Sequence, residues 1–460
     1  MKELTTGKPL KLIFLFTIPL LIGNIFQQFY NMADMIIVGQ TLGKNALAAV
    51  GATGSITFLI IGFAQGLTSG LSIITAQRFG ARDYQGVKRS FATSILISSI
   101  ITVILTILSL IFVRPLLLLM QTPVEILDDA QTFISIILIG IFAAMAFNLL
   151  SNVIRALGDS RTPLVFLIVA SIVNVVLDLV LIINFHMGVA GAGVATVTAQ
   201  VVASILCVFY IQKKIPNLQI RRKDFSFERS EIRDHLNAAL PMAFQTSIIA
   251  IGAIILQGAL NSLGTDVVAA QAASGKIDQF AIQPMMSFGI TMATFTAQNY
   301  GAKKYGRILQ GVKSALFLSI GFSILAGSIV ILFGKPLVTL FVSSSETQVL
   351  NLAQVYFNIN GSLYWVLAIL LVVRYTLQGL GQTVIPTLAG IMELFMRSFA
   401  AIFLTALFGF TGAAAASPLA WIGSTVVLVA SYIKAVKRLR KLDEETTLEQ
   451  PLNQKVIAKP

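Results

Sequence analysis

Long apolar segments alternate with short polar ones along almost the whole chain. Each apolar segment is long enough for the roughly 20 residues that an α-helix needs to cross a bilayer. The pattern therefore predicts an all-α integral membrane protein with twelve transmembrane helices. Their approximate cores are 12–38, 47–76, 91–113, 127–153, 163–185, 191–212, 238–262, 267–297, 312–333, 347–373, 386–408 and 412–434.

The sequence also repeats itself, at a shift of 221 residues. TAQRFGARDY at 75–84 recurs as TAQNYGAKKY at 296–305, and other short matches, such as Pro19 with Pro241, lie close to the same shift. We expect two homologous six-helix lobes around a central cavity, because transporters built from parallel repeats bind substrate between the halves. The predicted segments are an N-lobe at 1–220, a cytoplasmic linker at 221–235, a C-lobe at 236–440 and a disordered cytoplasmic tail at 441–460.

Composition agrees with a membrane protein. Hydrophobic residues make up 56% of the chain and charged residues 12%, against about 25% charged in soluble domains. Arg and Lys are concentrated in alternate loops, which by the positive-inside rule places both termini in the cytoplasm. We expect the protein to lie in the plasma membrane. The net charge of +13 therefore indicates topology, and we expect no nucleic-acid partner. His186 and His235 are expected to be solvent-exposed.

The first span carries a polar stripe. Asn24, Gln27, Asn31 and Asp34 are spaced three, four and three residues apart, which places them on one helix face. A carboxylate inside a spanning helix costs about 2.5 to 3.5 kcal/mol. This face is therefore expected to contact a partner helix or a watered cavity, and its amides are candidates for lining the substrate cavity.

A second carboxylate lies in the fifth span. Asn174 and Asp178 share a helix face, and a rise of 1.5 Å per residue puts Asp178 about 22 Å above the cytoplasmic end, level with Asp34 about 7 Å below the outer end. Thr196 has a similar depth. Two carboxylates with amide and hydroxyl oxygens can bind a small cation or share a proton. The alternative is a polar cluster that only holds helices together.

The second half lacks a counterpart of Asp34, since the repeat shift leads to Ile255. Lys276 and Asp278 are cavity candidates there. Glu393 and Arg397 are four residues apart and predict a structural ion pair along one helix face.

Several weaker signals complete the set. Gln65 and Gln245 are further cavity candidates, and the GxxxGxxxG pattern of Gly62, Gly66 and Gly70 predicts close helix packing. No metalloprotease HExxH, phosphate-binding loop or catalytic triad pattern is recognisable. We therefore expect no enzyme activity and no cofactor.

These features resemble the multidrug and toxic compound extrusion (MATE) family, chiefly through FQQFYNMADMIIVGQ at 26–40, the duplicated TAQ loops and RALGDSRTP at 155–163. The resemblance implies export of drugs in exchange for inward H⁺ or Na⁺. It also implies that Pro19 kinks the first helix and that one cation site, holding Na⁺ at Asp34 and Asp178 if sodium couples, comprises a set of five residues. The implied site residues are Asp34, Asn148, Asn174, Asp178 and Thr196.

The expected function is a monomeric secondary antiporter that exports amphipathic, in particular cationic, compounds by alternating access. Two carboxylates facing one cavity would attract such cations. The alternative is a lipid-linked saccharide flippase of the same superfamily, for which we would expect more cationic cavity residues and additional helices.

Overall fold

Our computed structural model describes residues 3–120, 122–225 and 228–457, with side chains except at 223 and 449–457. The described residues contain helices and no strand. The helices are α1 (Pro9–Leu42), α2 (Lys44–Ala52), α3 (Gly54–Gly80), α4 (Tyr84–Leu119), α5 (Val124–Ile139), α6 (Ile141–Ala156), α7 (Arg161–Leu179), α8 (Val189–Lys214), α9 (Arg229–Asn261), α10 (Thr265–Gly301), α11 (Tyr305–Val338), α12 (Thr347–Ser362), α13 (Tyr364–Gly379), α14 (Val384–Phe399), α15 (Thr405–Phe408), α16 (Phe410–Ala414) and α17 (Ala416–Ile457).

All twelve predicted cores lie on these helices, so the prediction of an all-α membrane protein is confirmed. Nine helices of the described chain are long and apolar enough to span a bilayer. Two bent pairs, α5 with α6 and α12 with α13, raise the number to eleven. The remaining predicted span, 267–297, corresponds to α10, which has 37 residues but a more polar sequence that includes Lys276 and Asp278.

Local irregularities recur in the two halves of the sequence. The pairs α5–α6 and α12–α13 bend by 45° and 47°. A π-helical turn follows α7 at Val180–Asn184 and another follows α14 at Ala400–Leu404. Arg82 and Lys303, in the duplicated TAQ loops, both have a left-handed backbone, with φ of 59° and 56°. The sequence repeat is therefore accompanied by a repeat of backbone geometry.

The chain forms two compact units. The first consists of Pro19–Thr75 and Asp83–Ala250, and the second of Ala76–Arg82 with the described residues of Lys2–Ile18 and Ile251–Pro460. The division passes through α1 at Pro19. Each unit includes a short segment from the other half of the sequence, so the limits of the units differ from the lobe boundaries expected from the repeat. Those boundaries stay a prediction.

In the first unit, α3 packs closely on α9, as the glycine pattern predicted. A Cβ at Gly66 would overlap the Met242 carbonyl, and one at Gly70 would overlap the backbone of Ala238 and Ala239. A Cβ at Gly62 would lie 2.8 Å from the Thr246 methyl carbon. The three glycines therefore permit an approach that larger residues would prevent.

His235 is fully buried in the same unit, so the expectation of solvent exposure was wrong. Its Nε2 lies 2.8 Å from the Ser90 hydroxyl and its Nδ1 2.8 Å from the Glu231 carbonyl. The reason is that α9 already begins at Arg229, within the predicted linker 221–235. Residues 226 and 227 of that linker lie outside the described residues.

The second unit brings the duplicated TAQ loops together. A Cβ at Gly80 would overlap the backbone of Gln298, and a Cβ at Gly301 would overlap the backbone of Gln77. The two contacts are reciprocal under the repeat, which explains physically why α3 and α10 both end in glycine.

α17 continues into the segment 441–460, for which the sequence predicted a disordered tail, and reaches Ile457. The Asp443 carboxylate accepts a hydrogen bond of 2.8 Å from the Gly306 amide at the start of α11. Lys441 and Glu445 also pair along α17 at 3.8 Å. Charged residues of this segment thus form contacts within α17 and with α11, and residues 458–460 lie outside the described residues.

Candidate functional site

Asp34 on α1 and Asp178 on α7 face each other in the first unit, with their carboxyl groups in hydrogen-bonding reach. Asp178 is 0% exposed and Asp34 is half-buried. Within the described chain, Asp34 Oδ1 and both Asp178 oxygens receive no donated hydrogen bond. Two such carboxylates repel each other in a poorly solvated site, so the pair favours a shared proton or a bound cation.

Three further polar side chains form a connected group, and one of them, Tyr30, interacts with both carboxylates. Asn174 Nδ2 lies 3.4 Å from Thr196 Oγ1, and the Thr196 hydroxyl donates to the Ala192 carbonyl at 3.0 Å. The Asn174 Oδ1 atom is buried and accepts no hydrogen bond from the described residues. The Tyr30 hydroxyl also contacts Thr196. Carboxylate, amide and hydroxyl oxygens are the ligands that hard cations prefer, so the residues fit Na⁺ as well as H⁺.

Sequence reasoning missed Tyr30, although a signal was present. Tyr30 precedes Asp34 by four residues, which places both on one face of α1. Asn148 is the exception among the five expected cation-site residues. Its Nδ2 donates to the Ala144 carbonyl at 2.8 Å, and its side chain lines a neighbouring cavity.

That cavity has a volume of about 130 Å³ and lies within the first unit. Four of the expected residues line it in addition to Asn148: Pro19, Asn24, Gln27 and Gln65. The other lining residues are Leu20, Gly23, Tyr30, Ile61, Phe147, Asn148, Arg155, Ser160, Pro163, Leu164, Leu167, Ala170, Ser171, Ala199, Gln200 and Ala203. At ~30 Å³ per water this space holds about four water molecules, so it accommodates one group of a drug-sized compound.

Four other cavity candidates do not line this cavity. Asn31 is exposed on α1, Gln245 is buried on α9, and Lys276 is exposed on α10. Asp278 is buried in the second unit, where it accepts hydrogen bonds from Tyr356, at 3.1 Å, and from Tyr364. Two tyrosine donors therefore satisfy this carboxylate inside the protein.

Glu393 lies between two guanidinium groups in the second unit. Its oxygens are 3.1 Å from Arg397 and 2.7 Å from Arg374, and all three side chains are buried. Arg374 also donates to Ser424 at 3.0 Å. Sequence spacing identified Arg397, four residues along the same helix, but Arg374 comes from α13 and has no local signal.

Comparison with known proteins identifies the family. A sequence profile described as MatE matches residues 19–180 and 241–417, well over half of the chain. The chain belongs to the MatE family. MatE proteins are multi-pass membrane transporters that handle small molecules, and multidrug efflux is the activity for which relatives are named.

Individual MatE relatives agree with this assignment. "Probable multidrug resistance protein YoeA" of Bacillus subtilis is 28% identical over 347 residues, covering 72% of this chain and 73% of its own. An "FAD transporter" of Shewanella oneidensis is 25% identical over 364 residues, covering 77% and 79%. A crystal structure of a MATE protein in a bent conformation matches with a TM-score of 0.87 at 25% identity, over 97% of this chain and 98% of the other. The predicted MATE fold is thereby confirmed.

Proposed function

We propose that this MatE protein is a secondary antiporter of the bacterial plasma membrane, with cytoplasmic termini, that exports amphipathic organic compounds in exchange for inward H⁺ or Na⁺. The observation that carries the proposal is the Asp34 and Asp178 pair, two carboxyl groups facing each other with oxygens that no described residue satisfies. Such a pair takes up a proton or a small cation readily.

The cation site and the cavity share one wall. Tyr30 contacts Thr196 at the site and also lines the cavity, and Pro19 lies further along the same helix at the cavity wall. Proline removes one backbone hydrogen bond, so α1 can bend there at lower cost than elsewhere. Neutralising the carboxyl pair would let α1 repack and lower the affinity for substrate. A cation entering from outside would thus promote substrate release.

The lining of the cavity does not favour a cationic substrate. The expectation of cationic compounds rested on carboxylates that face the substrate cavity. However, Arg155 is the only charged residue among the described lining residues, and neither Asp34 nor Asp178 lines the cavity. The proposed substrate is therefore amphipathic, with no preference for cations.

The test is efflux from proteoliposomes under separately imposed pH and Na⁺ gradients, with a panel of fluorescent amphipathic cations and anions. Asp34→Asn and Asp178→Asn should each abolish gradient-driven efflux while the protein still inserts and elutes as a folded species. Asp128→Asn is the matched control, since that carboxylate is 88% exposed. Efflux that is unchanged in Asp34→Asn would contradict the proposal.

A further inference from the structure

Arg155 is a cation with no counter-ion among the described residues. Its side chain is half-buried and lines the cavity of the first unit, and its Nε is buried without a hydrogen-bond acceptor in the described chain. No carboxylate of the described residues contacts it, and its ionisable neighbour is the buried Cys207 thiol. A cation that is partly removed from water is stabilised by a compensating negative charge.

Other arginines of the described chain show what Arg155 lacks. Arg374 and Arg397 share the Glu393 carboxylate, and the exposed Arg114 pairs with Asp128 at 3.5 Å. Arg155 lies in the last turn of α6, where the partial negative charge of the helix end compensates only a fraction of a full charge. A bound anion in the cavity would supply the remaining compensation.

The surroundings of Arg155 fit an organic anion. Gln27, Gln65 and Gln200 bring amide donors to the same cavity, while Phe147 and Leu164 provide an apolar wall. A guanidinium presents parallel N–H donors that match the two oxygens of a carboxylate or phosphate. With about 130 Å³, the cavity holds one such group, and the rest of the molecule must extend beyond it.

We propose that this cavity binds the carboxylate or phosphate group of an amphipathic organic substrate, with Arg155 as the counter-ion. The inference rests on the proposed function, since the bound compound is the one that is exported. It adds the chemical class of the substrate, an organic anion, and the residue that selects it.

The test is isothermal titration of the full-length protein in nanodiscs of zwitterionic lipid with three ligands that share one ring system. They are 1-naphthaleneacetate, its uncharged methyl ester and 1-naphthylmethylammonium. Wild-type protein should bind the acetate at least about tenfold more tightly than the ester, and the ammonium compound most weakly, because charge-assisted hydrogen bonds form with the anion alone. Equal affinity for acetate and ester, or tightest binding of the ammonium compound, would overturn the proposal.

Variants assign the preference to one side chain. Arg155→Gln should remove the difference between acetate and ester, and Arg155→Lys should keep part of it, because lysine retains the charge without the bidentate geometry. Arg114→Gln, at an exposed ion pair, should behave as wild type. If Arg155→Gln does not fold, Arg155→Lys provides the test. Its affinity for the acetate should be several-fold weaker than that of wild type, and its affinity for the ester should be unchanged. An unchanged affinity for the acetate would overturn the assignment.

A lipid headgroup offers the same phosphate chemistry. Adding phosphatidylglycerol to the nanodiscs should leave acetate binding unchanged, whereas displacement by this lipid would overturn the assignment to a soluble amphiphile.

Binding at equilibrium requires no ion gradient. If the protein shows gradient-driven efflux but does not prefer the anion, only this inference is rejected. If it binds the anion but shows no coupled efflux, only the antiport proposal is rejected.

Discussion

Glu393 accepts hydrogen bonds from two arginines, whereas Asp34 Oδ1 and both Asp178 oxygens accept none from the described residues. The first arrangement satisfies a buried charge permanently. The second leaves oxygens that can take up a proton or a cation. Asp278, held by two tyrosine hydroxyls, resembles Glu393 in this respect. At the scale of single residues, structural carboxylates are therefore distinguished from the coupling pair by whether the protein itself supplies the partners.

Replacing Glu393 should be strongly destabilising. Glu393→Ala leaves Arg374 and Arg397 buried without their carboxylate, and breaking a buried pair in this way typically costs about 3 to 5 kcal/mol. We expect a lower midpoint of thermal unfolding in detergent and a smaller yield of monodisperse protein. Asp128→Ala, at the exposed pair with Arg114, should change the midpoint little. Equal midpoints for the two variants would show that the arginines find other partners.

Residue spacing predicted part of the site. Asn174 and Asp178 were expected together because they share a helix face, and Thr196 was added because of its similar depth and the family resemblance. Tyr30 was missed, although it lies four residues before Asp34, because a tyrosine in an apolar helix does not by itself indicate a site. Arg155 was missed because an arginine at the end of a span is normally read as a topology signal, and only the packed structure shows that it has no carboxylate partner among the described residues.

At the scale of helices, close packing depends on glycine. Along α3, Gly62, Gly66 and Gly70 permit contact with α9, and Gly80 permits contact with the end of α10. The GxxxGxxxG spacing predicted a close helix contact in the first case, but not that α9 is the partner. A single glycine at the end of a helix carries no such pattern, so the contact between Gly80 and α10 was not predicted.

Adding one methyl group to α3 should test the packing. In Gly66→Ala the new Cβ would overlap the Met242 carbonyl, so the helices must separate, at a cost of about 1 to 3 kcal/mol. The midpoint of thermal unfolding should fall by several degrees. Gly258→Ala is the matched control, because a Cβ there has no atom within 4 Å. If both variants unfold at the wild-type temperature, α3 and α9 are not in close contact.

The C-terminal extension of α17 should protect the start of α11. Asp443 accepts the Gly306 amide hydrogen, as a capping residue does, and loss of such a cap costs about 0.5 to 2 kcal/mol. Amide hydrogen exchange near Gly306, measured by mass spectrometry, should accelerate in Asp443→Ala. The neighbouring and exposed Glu444→Ala should leave it unchanged. The same exchange rate in wild type and in both variants would indicate that residues 441–457 form an independent tail.

Helix bending could not be predicted from the apolar pattern. The pattern gave the position of each span, because about 20 apolar residues suffice for that. The bends of 45° and 47° and the two π-helical turns are set by packing between helices. Asp178 lies two residues before one of these turns, and π-helical turns are frequent at functional sites.

For the whole molecule, the proposed mechanism couples two neighbouring sites in the first unit. In this proposal the carboxyl pair binds the cation and the cavity beside Arg155 binds the substrate, and α1 contributes residues to both. If the cation favours a conformation of α1 with weak substrate binding, each ligand lowers the affinity of the other. Linkage requires this effect to be reciprocal, typically about 5- to 150-fold.

The most direct test measures this antagonism at equilibrium. A substrate identified by the efflux assay, with a charge that is constant across the pH range, is titrated into purified protein over pH and over Na⁺ at fixed ionic strength. Affinity should fall on acidification if protons couple, because the protonated pair disfavours substrate, or on adding Na⁺ if sodium couples. Asp34→Asn should flatten that response. Affinity that ignores both ions, or an identical response in Asp34→Asn, would contradict the central claim that this carboxyl pair couples cation entry to export.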